Sequence, residues 1–319
     1  MLTPGFYERY RVLPTRSTYR PAYAFYRAWV AATRTRIDVE GWDRLPDRPA
    51  ILATNSTQKQ DFMALRVLAE QRGVPCVTVT KAKNYHQPVM AWLLGRLGVV
   101  PIASKGYFLL VDFTQTLGRR PTDPEYRAVR DHVDRGTDLP PGPLQLLLHR
   151  PRQVVGHRFD PAQEAWRTFL RRIYRQSLQE TVRLAREAAD AGYHIQMYPE
   201  GTVSPTLGQG RIGAVQLAVA LGLPLLPVGM SGCPDAFWGD SPLVRGGRIQ
   251  LRVGELLPVP PDLVPASFVP FDPDAETTHR AALQGLTDTL MDRIDALLDP
   301  PFRRRSELPV LGKGTRAFL

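Results

Sequence analysis

The sequence has little cysteine and no long apolar run. Its 319 residues include two cysteines, Cys76 and Cys233, and each lies in an apolar stretch without metal-ligand spacing. Neither a disulfide framework nor a zinc site is therefore expected, and a reducing compartment fits. No apolar run reaches the roughly 18 residues of a spanning helix, so none is predicted. Residues 1–20 carry charges throughout, unlike a secretory signal.

Positive charge is the strongest compositional signal. The formal net charge is +10, and a basic surface attracts polyanions, which include both nucleic acids and anionic lipid headgroups. Charge alone does not choose between these partners. Because the sequence holds no zinc finger, RNA-recognition motif or other nucleic-acid module, no nucleic-acid partner is expected. A basic nucleic-acid binder stays a distant alternative that only the net charge supports.

Strand and helix patterns alternate along most of the chain, which predicts an α/β fold with a mixed sheet flanked by helices. We divide the chain into an N-terminal amphipathic helical segment (1–35), an α/β domain (36–300) and a basic tail (301–319). Within the domain, a segment of about 116–160 is rich in proline, glycine and charge, which is typical of an insertion or lid.

An aromatic face repeats at helical spacing within the N-terminal segment. Such a face fits two environments equally well, a membrane interface or the protein's own core. Its members are Ala22, Phe25, Tyr26, Trp29, Val30 and Thr33.

Four short blocks carry most of the chemical information. The first, residues 55–61, follows a predicted strand and opens a helix. The second, residues 81–102, leads through a short helix and a glycine into a strand. The third, residues 198–204, reads Tyr-Pro-Glu-Gly-Thr-Val-Ser at the end of a strand. The fourth, residues 223–229, is a late strand that contains two prolines.

In this order, the blocks resemble the conserved blocks of the glycerolipid (lysophosphatidic acid type) acyltransferases. The third is the most specific, since the family has Phe-Pro-Glu-Gly-Thr-Arg-Ser there. The resemblance spans roughly residues 35–257 and implies the family's fold and its acyl transfer from coenzyme A or acyl carrier protein to a lipid hydroxyl. The thioester is then a donor substrate, and no further cofactor or metal is expected. A lipid acceptor, an anionic membrane surface and a peripheral location on the cytoplasmic, inner face of the membrane also follow.

The resemblance also implies which residues form the site. The family's first block has Asn-His with an Asp five residues after the His, which acts as general base while the Asp orients it. Here Ser56 stands at the His position and Asp61 at the Asp position, so these two are the catalytic candidates. The substrate-binding candidates are Asn55, Lys105, Glu200, Gly201 and Thr202.

The sequence departs from the family pattern at three positions. Ser56 replaces the His, and because a serine hydroxyl is no base near neutral pH, general-base help worth roughly 10²–10⁴-fold is missing. Val203 replaces an Arg that would be a bidentate phosphate ligand. Ser104 stands where the family often has a phosphate-binding Arg, and the neighbouring Lys105 offers a point charge instead.

These departures leave two kinds of function open. The first is acyl transfer with a weakened or substituted base. The second is a non-catalytic lipid- or acyl-binding protein on the same fold, which the missing base favours and the retained Asp61 and Pro-Glu-Gly-Thr disfavour. His86, His157 and His194 are alternative bases, although a structural or surface role is the favoured interpretation of the first and the last. Ser56 as a covalent nucleophile would itself need a base.

Overall fold

The computed structural model describes residues 2–13, 16–85, 87–239, 241 and 243–305, so most of the predicted basic tail lies outside it. Nine strands are present among these residues, and seven of them form one sheet. In chain order the strands are β1 (Arg36–Glu40), β2 (Ile51–Thr54), β3 (Cys76–Lys81), β4 (Val99–Ile102), β5 (Arg152–Val154), β6 (His157–Phe159), β7 (His194–Met197), β8 (Leu225–Ser231) and β9 (Arg248–Val253).

The large sheet is mixed and has the order β1-β9-β8-β2-β7-β3-β4. The five strands from β8 to β4 run parallel, whereas β9 is antiparallel to β8. Ala53 of β2 pairs with Met197 of β7 and with Pro227 of β8. The carboxyl ends of these strands therefore open at one edge of the sheet, which is where α/β folds place their sites.

Helices cover both faces of the sheet and confirm the predicted α/β class. Ile51 and Ala53 pack into one core and Leu52 into the other, as the alternation of side chains along a strand requires. No helix in the described part of the chain has both the length and the apolar character to cross a bilayer. The helices are α1 (Pro4–Arg9), α2 (Arg16–Ala32), α3 (Phe62–Gln71), α4 (Pro88–Arg96), α5 (Lys105–Leu117), α6 (Asp123–Arg135), α7 (Leu146–His149), α8 (Trp166–Asp190), α9 (Gly213–Leu221), α10 (Cys233–Ala236) and α11 (Pro273–Ala296).

Helix α2 packs on the protein's own core, one of the two environments that its aromatic face allowed. Tyr23 and Tyr26 are buried, and the Trp29 indole Nε1 donates to the Val244 carbonyl at 2.8 Å. Phe25 is the exception, with 59% of its surface exposed. Most of this face is thus unavailable to a membrane in the folded chain.

The 116–160 segment is packed rather than extended. Helix α6 buries Tyr126, Val129 and Val133, whose spacing places them on one side of a helix. Arg152 forms a bidentate pair with the buried Asp112, at 2.6 Å for Nε to Oδ1 and 2.7 Å for Nη2 to Oδ2. Helical apolar spacing and this buried pair hold the segment against α8 and α5, and its role as an insertion or lid stays a prediction.

Candidate functional site

The first and third sequence blocks meet at the carboxyl edge of the sheet. Because β2 and β7 are paired, the turns that follow them emerge side by side. The backbone N–H of Ser204 in the third block donates to the carbonyl of Ser56 in the first, at 2.9 Å. The structure thereby brings Ser56, Asp61 and Glu200 together.

Asp61 lies immediately before α3 and reaches back over the turn. It is 1% exposed, and its Oδ2 accepts the backbone N–H of Thr57 at 3.1 Å and of Gln58 at 3.3 Å. The Tyr198 hydroxyl donates to Oδ1 at 2.7 Å, and the Ser56 side chain lies close enough to the same carboxyl group to lower its pKa. The five-residue spacing to Ser56 lets one carboxylate close the turn and contact that hydroxyl.

Glu200 holds the turn from the other side. Its Oε2 accepts the backbone N–H of Ser56 at 2.9 Å, and its Oε1 accepts the backbone N–H of Gly208 at 2.7 Å. The residue is 2% exposed. One carboxylate therefore connects the turn after β2 to the loop before α9, and it fixes the backbone at Ser56 without using the serine side chain.

Burial brings both carboxyl groups into the neutral pH range. It raises the pKa of Asp61 to about 7, although the hydrogen bonds that the group accepts act in the opposite direction. It also raises the pKa of Glu200 to about 7, and the nearby charge of Asp61 adds to that effect. A carboxylate with such a pKa is a far better proton acceptor near pH 7 than an ordinary aspartate.

Asn55 has a positioning role in the structure instead of the predicted contact with substrate. It is 1% exposed; its Nδ2 donates to the Met230 carbonyl at 2.9 Å, and its Oδ1 accepts the Met230 N–H at 2.7 Å. Both polar atoms of the Asn55 side chain are therefore hydrogen-bonded to the backbone of β8. Gly201 and Thr202, in contrast, are exposed in the turn after Glu200, so their contacts with a substrate stay predictions.

We expect Asn55→Ala to lower the free energy of unfolding by about 2–4 kcal/mol. The change leaves two buried backbone groups of Met230 without partners, and each such group costs about 1–3 kcal/mol. Urea denaturation measures the effect. Asn84→Ala is the matched control, since Asn84 is exposed and donates to Thr80. Equal midpoints for the two variants would contradict the role of Asn55 in joining β2 to β8.

Lys105 already has a carboxylate partner. Its Nζ lies 2.9 Å from Oδ1 of Asp134 on α6, at the start of α5, where Ser104 caps the helix. This ion pair neutralises part of the Lys105 charge, which the sequence analysis had assigned to binding the acceptor. A contact between Lys105 and substrate stays a prediction.

The candidate histidines do not supply a base in the described structure. His86 lies outside the described residues. His157 lines a cavity of about 480 Å³ whose lining contains neither Ser56 nor Asp61. His194 begins β7, at the end remote from Glu200, and its Nδ1 accepts the Ala50 N–H at 3.2 Å. Burial lowers the pKa of His194 to about 4, which agrees with its interpretation as a structural histidine.

Sequence reasoning missed the roles of Tyr198 and Gly208. Tyr198 stands where the family's third block has Phe, and its added hydroxyl gives Asp61 a hydrogen-bond donor. A tyrosine at the end of a strand, directly before Pro-Glu, was the signal in the sequence that could have indicated this contact. Gly208 leaves room for the Glu200 carboxylate, because a Cβ at this position would lie 3.1 Å from Oε1 of Glu200. Nothing in the sequence indicates that Gly208 lies so close to Glu200.

Comparison with known proteins agrees with the resemblance. Residues 162–231 match the family model described as Acyltransferase. This span contains the third and fourth blocks with Glu200, so the match agrees with the resemblance over this part of the chain. The first block, with Ser56 and Asp61, lies outside it. No curated protein matches the chain.

Among solved structures, the chain is similar to the crystal structure of the 1-acyl-sn-glycerophosphate (LPA) acyltransferase PlsC from Thermotoga maritima. The sequences are 16% identical, the alignment covers 87% of this chain and 77% of that chain, and the TM-score is 0.41.

Proposed function

We propose that this chain transfers an acyl group from a thioester of coenzyme A or acyl carrier protein to the hydroxyl of a lysophospholipid or related lipid. The observation that carries the proposal is the convergence of Asp61 and Glu200 on the turn at Ser56. A buried carboxylate thus contacts the side chain at the position where the family has its base. The Acyltransferase match over the turn that contains Glu200 supports the same chemistry.

In this proposal Ser56 and Asp61 together replace the missing imidazole. The acceptor hydroxyl binds against Ser56 and passes its proton through the Ser56 hydroxyl to Asp61 as its oxygen attacks the thioester carbonyl. A C–O bond forms and the C–S bond breaks. The thiolate leaves and takes the proton back from Asp61, so the enzyme ends in its starting state. The step forms no covalent intermediate and requires no cofactor or metal.

The neighbouring residues support this proton transfer. Glu200 holds the Ser56 backbone, which keeps the hydroxyl within reach of Asp61. Among the described residues, the Thr57 hydroxyl is buried and has no hydrogen-bond partner. A buried hydroxyl without a hydrogen-bond partner lowers the stability of the fold. We therefore assign the Thr57 hydroxyl a hydrogen bond to a polar group of the bound substrate.

We also propose that the protein works in phospholipid biosynthesis, attached peripherally to the cytoplasmic face of an anionic membrane. The exposed surface of α4 supports this attachment: Val89, Trp92 and Leu93 are 78%, 56% and 37% exposed. The Arg96 guanidinium lies 4.3 Å from the centre of the Trp92 ring. Aromatic and aliphatic side chains beside a basic residue are typical of helices that lie in a bilayer interface, and the net charge of +10 favours anionic lipid.

Trp92→Glu is expected to weaken binding to vesicles of mixed phosphatidylglycerol and phosphatidylcholine by about 10-fold or more, because it removes a large apolar group and adds a repelled charge. Cosedimentation measures the binding. Phe25→Glu makes a comparable change at an exposed aromatic residue of α2 and should leave binding near that of the unchanged protein. Equal losses in both variants would exclude α4 as the membrane surface.

The experiment that tests the enzyme is thiol release from a panel of acyl-CoA species with lysophospholipid acceptors, with mass spectrometry of the acylated lipid. Acyl product that requires both donor and acceptor supports the proposal. If no pair gives product while the protein still binds lipid, the non-catalytic lipid- or acyl-binding alternative takes its place.

A further inference from the structure

A cavity of about 480 Å³ lies between residues 2–11 and helix α8, and no residue of the first or third sequence block lines it. Its floor is apolar, because the buried side chains of Leu2, Tyr7 and Phe108 line it. The Tyr7 hydroxyl lies 2.9 Å from Oγ of Ser177 on α8, which joins the two walls at the base. A cavity of this volume is large enough for a small organic ligand.

The charged side chains of the lining balance one another. The two arginines already have acceptors in the protein: Arg183 donates from Nε to Oε2 of Glu180 at 2.8 Å and from Nη2 to the Tyr7 carbonyl at 3.2 Å. Arg11 donates from Nη1 to the Glu8 carbonyl at 3.0 Å. Since these two arginines and the two glutamates carry formal charges that cancel, the lining favours neither an anion nor a cation.

Four polar side chains of the lining are left for a ligand. Within the described ranges of the chain, the side chains of Glu8, His157, Gln176 and Gln179 form no hydrogen bond with the protein. Burial and then the charge of Arg172 lower the pKa of His157, so its ring is neutral at pH 7, with one donor and one acceptor nitrogen. Each glutamine amide likewise offers a donor and an acceptor, whereas the glutamate only accepts.

We propose that this cavity binds a neutral polyhydroxylated ring, of the sugar or cyclitol class. A hydroxyl group both donates and accepts, so a ring of hydroxyls can satisfy amides, an imidazole and a carboxylate together. The C–H face of the same ring fits the apolar floor, in the usual combination of an apolar lining with a few polar groups. A phosphate would instead place its charge beside the carboxylate of Glu8 without a free cation to compensate.

The cavity also lies near α4, the proposed membrane surface. A Cβ on Gly95 of α4 would lie 3.1 Å from Cε2 of Tyr10, and the next residue, Arg11, lines the cavity. A ring of this class has two sources, the headgroup of a membrane glycolipid and a free sugar or cyclitol. Because no residue of the Ser56 turn takes part, binding is independent of the proposed acyl transfer.

A saturation-transfer NMR titration with methyl α-glucoside and with myo-inositol tests the site without turnover. At least one of these rings should bind the unchanged protein with a saturable dependence on concentration. Gln176→Ala and Gln179→Ala should each weaken the Kd by about 3- to 10-fold, the effect of one lost neutral hydrogen bond. Gln163→Ala removes an exposed glutamine shortly before α8, outside the cavity, and should leave the Kd unchanged.

A second pair of variants fills the cavity. Gln176→Trp places an indole in the cavity and should abolish binding, whereas Gln163→Trp is the matched control and should bind normally. Both positions are exposed, so both variants should keep the Tm of the unchanged protein. Absence of saturable binding of either ring to the unchanged protein, or equal binding by the two tryptophan variants, would exclude the site. Binding of choline or inorganic phosphate that only Gln176→Trp loses, without binding of a ring, would overturn the ligand class.

Vesicles then distinguish the two sources of the ring. Cosedimentation compares phosphatidylcholine vesicles with and without a glucosyl diacylglycerol. A gain in binding from the glycolipid that Gln176→Trp loses and Gln163→Trp keeps identifies a lipid headgroup. Saturable binding of a free ring, with no gain from the glycolipid, identifies a soluble sugar or cyclitol. Either result upholds the ring-binding cavity.

Discussion

Asp61→Asn is expected to lower kcat by about 10²–10⁴-fold while the protein remains folded. The Asn oxygen can accept the N–H groups of Thr57 and Gln58, and its NH₂ can donate to the Tyr198 oxygen, so the hydrogen bonds of the turn persist. What disappears is the proton acceptor. The assay is thiol release with the best donor and acceptor pair. Asp262→Asn, at an exposed carboxylate, should retain full activity.

The pH dependence separates proton transfer from packing in this variant. The pKa of Asp61 in the folded protein, about 7, lies above its ordinary value of 3.8. The folded state therefore binds this proton more tightly than the unfolded state, and the stability this contributes is complete at low pH and lost as pH rises towards 7. Since Asn never ionises, the Tm of Asp61→Asn relative to the unchanged protein should increase from pH 5 to pH 8.

The pH dependence of activity should be opposite to that of the stability contributed by the Asp61 proton. Proton acceptance requires ionised Asp61, so the rate of the unchanged protein should rise with pH and level off above about 7. Glu200 ionises in the same range, which is why the comparison is made between variant and unchanged protein. Full activity in Asp61→Asn would exclude Asp61 from the reaction.

The sequence predicted the elements of the core better than their arrangement. Helix α3 ends just before Gly73, and alternating apolar residues define strand β9, so both elements follow from the local sequence. The strand order was not predictable, since it depends on pairing between segments far apart in the chain, such as β2 with β7 and β8. Ser104, which the sequence analysis compared with a family arginine, instead caps helix α5 by accepting the Tyr107 N–H.

The same distinction applies to the candidate site. Ser56 and Asp61 are near one another in the chain, so their proximity in the structure follows from a local turn. Contacts that cross the sheet, such as Tyr198 with Asp61, depend on which strands are neighbours.

Ser56→His should raise kcat by about 10- to 100-fold, towards the lower part of the range for general-base catalysis because the Ser56–Asp61 pair already supplies part of that help. The turn can accept the change, since both contacts that hold its backbone, from Ser56 N–H to Glu200 and from Ser204 N–H to the Ser56 carbonyl, are independent of the side chain at 56. The new imidazole would lie beside Asp61, which can orient it and stabilise its protonated form.

Two further variants show whether this gain comes from the intended pair. Ser56→Ala removes the hydroxyl without supplying a base, and its kcat should fall about 10-fold or more below that of the unchanged protein. Adding Asp61→Asn to Ser56→His should abolish the gain, because an imidazole in the wrong tautomer is a poor base. A folded Ser56→His variant, checked by its Tm, that is no faster than the unchanged protein would show that position 56 does not face the reacting hydroxyl.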